Sequence, residues 1–186
     1  RILHGLAHDA LFIDPRIRGY AQRVGAIRAG HGVAERALTR GRLLLVYPGS
    51  DWDACRSFAD RHRVVLHGRR GFLRLALRSG VPIVPVVSVG THEQLVILTR
   101  GDRLARLSGM HRLLRTDTLP LSLSLPWGLS LAYVPYLPLP AQTTVWFGEP
   151  LRFPDIRPAQ AEDEDVLAAC YAQVESRMQA MLDELS

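Results

Sequence analysis

The sequence predicts an α/β domain with a mixed, largely parallel sheet flanked by helices, and three observations predict it. Helical and strand-like phrases alternate through the first half of the chain. The strand-like phrases are short, continuous apolar runs, as a sheet covered on both faces requires. The length of 186 residues, 47% of them hydrophobic, suits a sizeable core, so residues 1–186 are read as a single domain.

The elements follow in order. "DPRIRGYAQRVGAIRAG" sets Ile17, Tyr20, Ala21 and Val24 at helical intervals and breaks at Gly25 and Gly30. "GVAERALTRG" carries Val33, Ala34, Ala37 and Leu38 on one helical face and ends at Gly41. It leads into "RLLLVYPG", an apolar run closed by Pro-Gly that reads as a buried strand. The helix-then-strand phrase recurs in "GRRGFLRLALRSG", with Phe72, Leu75 and Ala76 on one side and Arg70, Arg74 and Arg78 on the other. After Gly80 comes the β-branched run "VPIVPVVSVG". The two phrases are too dissimilar for an internal duplication.

From Thr118 to Phe147 no residue is charged, yet five prolines fall in the stretch. They rule out one regular helix through it, and with that a simple bilayer span. Something apolar is expected to cover it. Immediately before, Arg100, Arg103, Arg106, Arg112 and Arg115 alternate with Leu104, Leu107, Leu113 and Leu114. That composition fits an interfacial amphipathic helix and equally an ordinary surface helix. Residues 158–186 read as a C-terminal packing helix. Pro158 stands near its start, acids from Glu162 to Asp165 face the positive end of the dipole, and Val166, Cys170, Val174, Met178, Met181 and Leu185 form a stripe.

Composition excludes several function classes. The net charge of +5 comes from 23 arginines and no lysine, a bias that genomic base composition also produces, so it is weak evidence for an anionic partner. Cys55 and Cys170 lie far apart without C-x-x-C spacing, which suggests neither a disulfide framework nor a zinc knuckle and suits a reducing cytosol. No proline-free run of 18 uncharged apolar residues and no secretory leader pattern is visible. The sequence starts at Arg1 and is read as a piece of a longer chain, so a membrane anchor ahead of it would be out of sight. With aromatics at 7% and no RNA-binding or zinc-finger motif among the arginines, no nucleic-acid partner is expected. Nucleotide-loop and G-x-S-x-G patterns are absent. His4, His8, His31, His62, His67, His92 and His111 include no H-E-x-x-H and no cysteine at ligand spacing, so neither a metal nor a bound cofactor is expected.

Two loops are candidate ligand edges. Tyr47-Pro48-Gly49-Ser50 puts backbone N–H groups and a hydroxyl at the carboxyl end of a strand, where open α/β sheets bind ligands. Asp51 and Asp53 follow and would repel a dianion, and a plain strand-to-helix turn is the alternative. His92 and Glu93 follow the "VPIVPVVSVG" strand at a second such edge, where a structural or solvated histidine is the alternative. A third pattern opens the chain. "HGLAHD" spells H-x4-D with His4 and Asp9, the histidine-carboxylate spacing of a large class of acyl-transfer enzymes.

Taken in order, "LAHDALFIDPRIRGYAQRVGAI", "LLLVYPGSDWDACRSF", "VVLHGRRGFLRLALRSGVPIVPVVSVGTHEQL" and "VPYLPLPAQTTVWFGEPL" resemble the lysophospholipid acyltransferase superfamily over residues 6 to 152. The branch most resembled is the bacterial relatives of monoacylglycerol and diacylglycerol acyltransferases. Tyr47-Pro48-Gly49 resembles that family's third block, Val81-Pro82-Ile83-Val84-Pro85 its fourth, and Phe147-Gly148-Glu149-Pro150 its last strand. The resemblance implies a glycerolipid acyltransferase-like layered domain. It implies an O-acyltransferase that moves a fatty acyl group from acyl-CoA or acyl carrier protein, as co-substrate, to a lipid hydroxyl at a membrane surface. In such chemistry a histidine takes the acceptor's proton during attack on the thioester, and an aspartate fixes the imidazole tautomer.

The resemblance also bears on H-x4-D. In the family that block precedes the segment occupied here by Ala10 through Ile27, with a helix between, whereas His4 and Asp9 adjoin the segment directly. His4 and Asp9 are therefore expected to be a decoy, with the catalytic pair upstream of Arg1. Members with phosphorylated acceptors usually show Pro-Glu-Gly-Thr in the third block. Here Gly49 stands in the glutamate's place, ahead of Ser50-Asp51-Trp52-Asp53, so a neutral acceptor of the mono- or diacylglycerol type is expected. Tyr47, Pro48, Gly49 and Ser50 are then acceptor-binding, with His92 and Glu93 at the substrate edge. The stretch from Leu119 to Pro140 is expected to line the acyl pocket or dip into lipid, with the protein peripheral on the cytoplasmic face of the membrane. The alternatives are a non-catalytic lipid-binding or scaffolding domain of the same fold, and a plain α/β domain whose apolar stretch packs in a protein interface.

Overall fold

The computed structural model describes residues 2–7, 12–102, 105, 118–131 and 136–186, leaving aside the side chains of Ser50 and Asp51. In chain order the described elements are β1 (Leu3–Ala7), α1 (Pro15–Arg23), β2 (Ala26–Arg28), α2 (His31–Thr39), β3 (Leu43–Leu45), α3 (Ser50–Ala54) and α4 (Gly71–Ser79). Then come β4 (Val86–Val89), α5 (Thr91–Gln94), β5 (Val96–Thr99), β6 (Leu121–Ser124), β7 (Gly128–Leu131), β8 (Thr144–Phe147) and α6 (Glu164–Leu185). Turns of 3-10 helix occupy Phe58–Asp60 and Pro158–Glu162. The chain divides into two compact units, one of Arg1–Pro48, Gly68–Ile83 and Leu151–Ala172, the other of Gly49–His67, Val84–Pro150 and Gln173–Ser186.

The first unit holds a parallel sheet in the order β2-β1-β3. β1 pairs with β2 from Gly5↔Ala26 to Ala7↔Arg28 and with β3 from Leu3↔Leu43 to Gly5↔Leu45. Parallel neighbours need a crossover, and α1 and α2 supply the two connections. α1 starts where it does because the Asp14 carboxylate accepts from the N–H groups of Arg16 (2.7 Å) and Ile17 (3.3 Å), with Pro15 in the first turn.

α2 packs on α4, burying Ala34 and Ala37 from one and Leu73, Ala76 and Leu77 from the other. The buried side of α4 is thus rotated from the expected Phe72, Leu75 and Ala76. The cause is the arginine stripe. Arg70 pairs with Glu164 at 2.7 Å, Arg74 with Glu164 and with Glu162 at 3.3 Å, and Arg78 with Glu162. Two of the acids read as partners of the helix dipole are therefore partners of α4. Asp163 caps α6, accepting from the N–H groups of Asp165 (3.0 Å) and Val166 (3.4 Å). Each ion pair is partly exposed and contributes only about 0–1 kcal/mol.

The second unit contains two antiparallel sheets. β4 pairs with β8 from Val86↔Phe147 to Val89↔Thr144, and Val87 packs with Met181 and Leu182 of α6 against Val64, Trp146 and Met178. The Gln179 amide accepts from the Val64 N–H and donates to the His62 carbonyl, both at 2.8 Å, fixing that loop to α6. Along α6 the most buried residues are Leu167, Cys170, Val174, Met181 and Leu182, while Val166, Met178 and Leu185 of the expected stripe are half-buried.

β5, β6 and β7 form the other sheet, in that order. Parallel pairing is therefore confined to β1, β2 and β3, and the other three pairings among the described residues are antiparallel. The expectation of a largely parallel sheet is corrected to that extent. The reason is local: only Leu125, Pro126 and Trp127 separate β6 from β7, too few residues for a parallel crossover. The proline-rich stretch, expected not to be one helix and to run into a last strand at Phe147, supplies β6, β7 and β8. The arginine-leucine segment before it lies outside the described residues except for its first residues and Ala105. No described helix is long and apolar enough to cross a membrane.

Candidate functional site

After β3 the chain passes through Tyr47 and Pro48 to Gly49, whose carbonyl accepts from the N–H groups of Trp52 (3.1 Å) and Asp53 (3.3 Å) and so opens α3. A Cβ at Gly49 would lie 2.5 Å from the Val65 carbonyl oxygen and would overlap the Asp53 side chain. Backbone meets backbone here, which is why the turn needs glycine at position 49. Of the predicted acceptor-binding residues, Tyr47 is 69% exposed, Pro48 is half-buried, Gly49 is buried, and the Ser50 side chain lies outside the described set.

The second predicted edge folds onto the segment that follows α3. Gly90 turns the chain at φ +90° from β4 into α5, which carries His92 and Glu93. Arg56 donates from Nη2 to His92 Nε2 at 2.9 Å and lies 3.4 Å from the Asp53 carboxylate. Glu93 pairs with Arg61 at 3.4 Å, and the Arg61 guanidinium lies 4.2 Å from the centre of the Phe58 ring. A guanidinium only donates, so His92 Nε2 accepts and the ring proton sits on Nδ1. Burial foremost, and then the Arg56 charge, hold the His92 pKa below its ordinary value, and Asp53 and Glu93 oppose that only in part. Arg61 lowers it further.

His92 is kept neutral in the fold and protonates more readily in the unfolded chain, so its contribution to stability is complete above about pH 6.5. That contribution is lost as pH falls through the lowered value. Urea titrations at pH 7.5 and below 6 are expected to show a larger acid loss of stability for wild type than for His92→Gln; equal losses would remove His92 as the cause.

A cavity of about 420 Å³ adjoins this cluster within the second unit, bounded by Trp52, Arg56, Asp60, Arg63, Leu98 and Arg100 among others. Trp52 stacks on His67 with ring centres 3.9 Å apart, and the Arg100 guanidinium lies 3.4 Å from the Trp52 ring centre. Such a cation-π contact orders both groups. Each cavity arginine already has a carboxylate: Arg56 with Asp53, Arg63 with Asp60 at 3.6 Å, and Arg100 with Asp102 at 3.0 Å. Among the described residues, the buried Nε–H groups of Arg56 and Arg100 find no hydrogen-bond partner. The cavity thus offers directional donors with little surplus positive charge. Sequence reasoning missed Trp52, Arg56, His67 and Arg100. The i, i+3 spacing of Asp53 and Arg56 was a usable signal, whereas nothing local ties Arg100 to Trp52. Among the described residues no group of three histidine, cysteine, aspartate or glutamate side chains is placed to hold a metal.

His4 lies within β1, opposite Leu44 of β3, and its Nδ1 donates to the Gly25 carbonyl at 3.1 Å. The same carbonyl accepts from the Gly5 N–H at 3.2 Å, so the imidazole helps hold the turn before β2 to β1. Asp9 lies outside the described residues.

Comparison with known proteins narrows the class. The chain belongs to the diacylglycerol acyltransferase family, whose model matches residues 3–184. It is 35% identical over 185 residues to an uncharacterized protein of Mycobacterium tuberculosis, covering 100% of this chain and 49% of that protein. It is 27% identical over 181 residues to Diacylglycerol O-acyltransferase 2 of Bos taurus, and 26% over 179 residues to Diacylglycerol O-acyltransferase 2 of Homo sapiens. Those two alignments cover 87% and 86% of this chain and 46% and 42% of the respective relatives. The chain therefore spans about half the length of the curated relatives it matches. No solved structure matches it at a significant level.

Proposed function

We propose that the chain is part of an O-acyltransferase that moves a fatty acyl group from a thioester, acyl-CoA or acyl carrier protein, to the hydroxyl of a neutral lipid such as mono- or diacylglycerol. It would work peripherally on the cytoplasmic face of a membrane. The family match along residues 3–184 carries this reading. The chemistry is that of the wider lysophospholipid acyltransferase superfamily. The acceptor oxygen attacks the thioester carbonyl, a histidine takes the hydroxyl proton, and the tetrahedral intermediate expels the thiolate, which leaves as the free thiol.

A neutral acceptor is supported by the cavity's charge balance, since Arg56, Arg63 and Arg100 are each matched by an aspartate. In this reading the Tyr47–Ser50 loop faces the acceptor, and His92 and Glu93 order the neighbouring loop. His4 is structural, because a carbonyl takes the Nδ1–H that an aspartate would hold in a catalytic pair.

The test is transfer of labelled oleate from oleoyl-CoA to dioleoylglycerol by the protein expressed from its complete gene. Labelled triacylglycerol is expected, and absence of product from every acyl thioester and neutral acceptor would overturn the reading. His4→Ala is expected to change kcat/KM by no more than about twofold while costing about 1 kcal/mol of stability. A fall of about a hundredfold in an otherwise folded variant would make His4 the base.

A further inference from the structure

The β6–β7 hairpin is built inside out for a water-soluble sheet. Along β6 and β7 the inward positions are serines and the outward ones leucines, with Ser122 opposite Ser130, Leu123 opposite Leu129 and Leu121 opposite Leu131. Ser122 and Ser124 are 4% and 2% exposed, and both hydroxyls hydrogen-bond that of Ser130, at 3.2 and 3.1 Å. Leu129 and Leu131 are 62% and 47% exposed. Leu125 and Leu137, joined by an antiparallel bridge, extend the outward face, and Trp127 stands 60% exposed at the turn.

A half-buried antiparallel sheet normally turns its apolar side to the core and its polar side to water. The reverse alternation, polar in and apolar out, is what a sheet facing hydrocarbon shows. The serines need their inward partners, because an unpaired hydroxyl against hydrocarbon is costly. We propose that this leucine face is the surface by which the protein seats on a lipid bilayer, with the hairpin dipping shallowly into it.

Three observations favour lipid over a protein partner. Among the described residues the face offers leucines and one indole, without the spread of side-chain hydrogen-bonding groups that a protein interface carries. No charge occurs from Thr118 to Phe147, and charge is what a bilayer excludes. The turn carries a tryptophan, whose amphipathic ring favours the membrane interface. For the occupant's identity the inference rests on the neutral-lipid reading, since such an acceptor dissolves in the bilayer.

The test is flotation with phosphatidylcholine vesicles of wild type and of Leu123→Ser/Leu129→Ser/Leu131→Ser, paired with acyl transfer to long-chain diacylglycerol in those vesicles and to a short-chain, water-dispersed one. The triple variant is expected to bind vesicles more weakly by about tenfold or more and to lose transfer to the vesicle-borne acceptor only. Vesicle binding that depends on the leucines, with no transfer to either acceptor, would sink the acyltransferase reading and leave this inference standing. Unchanged binding by the triple variant would overturn it. So would a wild-type dimer that the variant dissolves and that does not bind vesicles, because the occupant would then be a second copy. Should the triple variant fail to fold, quenching by brominated phosphatidylcholine decides: quenching that Trp127→Phe largely removes supports the face, and quenching unaffected by it overturns the placement.

Discussion

Gly90→Ala is expected to lower the unfolding free energy by about 3 kcal/mol or more, among the largest effects for any single methyl group added to this chain. Two costs add. At φ +90° an L-residue is strained, and a Cβ there would overlap the Gln142 carbonyl oxygen, with the carbonyl carbon 2.8 Å away and Thr143 Cα 3.1 Å away. Those are backbone atoms leading into β8, the partner of β4, so relief requires moving a strand rather than turning a side chain. Gly68→Ala separates the two costs. Its φ is +67° but a Cβ meets nothing within 4 Å, so only the conformational cost of about 1 kcal/mol is expected. Urea unfolding of the two variants checks this, and equal losses would mean that the chain around Gln142 yields. Because Gly90 sets the direction of α5, Gly90→Ala is also expected to loosen the His92–Arg56 bond.

What was legible in the sequence was whatever repeats at short range. The phrases before Gly30, Gly41 and Gly80 became α1, α2 and α4, and the apolar runs after them supplied β3 and β4, because periodicity and helix stops are local properties. The face of α4 was misjudged by a residue. Its arginines answer Glu162 and Glu164, some ninety positions along the chain, and no local pattern carries that partner. The hairpin shows a different limit. The alternation "LSLSL" is a plain period of two, and its usual reading puts leucine inside. Periodicity gives two faces and leaves open which one meets the core.

At the candidate site the same division holds. The Pro-Gly turn and His92-Glu93 were legible as strand-end loops, since both follow apolar runs closed by glycine. The bond from Arg56 to His92 was not, because the two are 36 residues apart and belong to different phrases. The stack of His67, Trp52 and Arg100 is likewise assembled from three separate places in the chain, helix α3 and two loops. Side chains that act as a unit across loops leave no spacing to read.

Arg56→Met is expected to raise the pKa of His92 toward the ordinary histidine range without restoring it fully, and to cost about 1–3 kcal/mol of stability. The direction follows from the causes: Arg56 is the second influence holding the imidazole neutral, and the first, burial, survives the substitution. The stability cost is held below that of a fully buried pair because Asp53, though it loses its cation, is 40% exposed and regains water, while the Arg56 side chain is only 12% exposed. Methionine roughly fills the stem's volume, so most of the loss is electrostatic and hydrogen-bonding rather than a cavity. NMR titration of His92 reads the pKa directly, and a double-mutant cycle with His92→Gln is expected to show about 0.5–3 kcal/mol of coupling. Arg56→Lys keeps a charge near His92 but loses the guanidinium fork, so it should keep the pKa low while recovering only part of the stability. If His92 titrates identically in wild type, methionine and lysine variants, Arg56 does not position it, and the two loops are held together by some other contact.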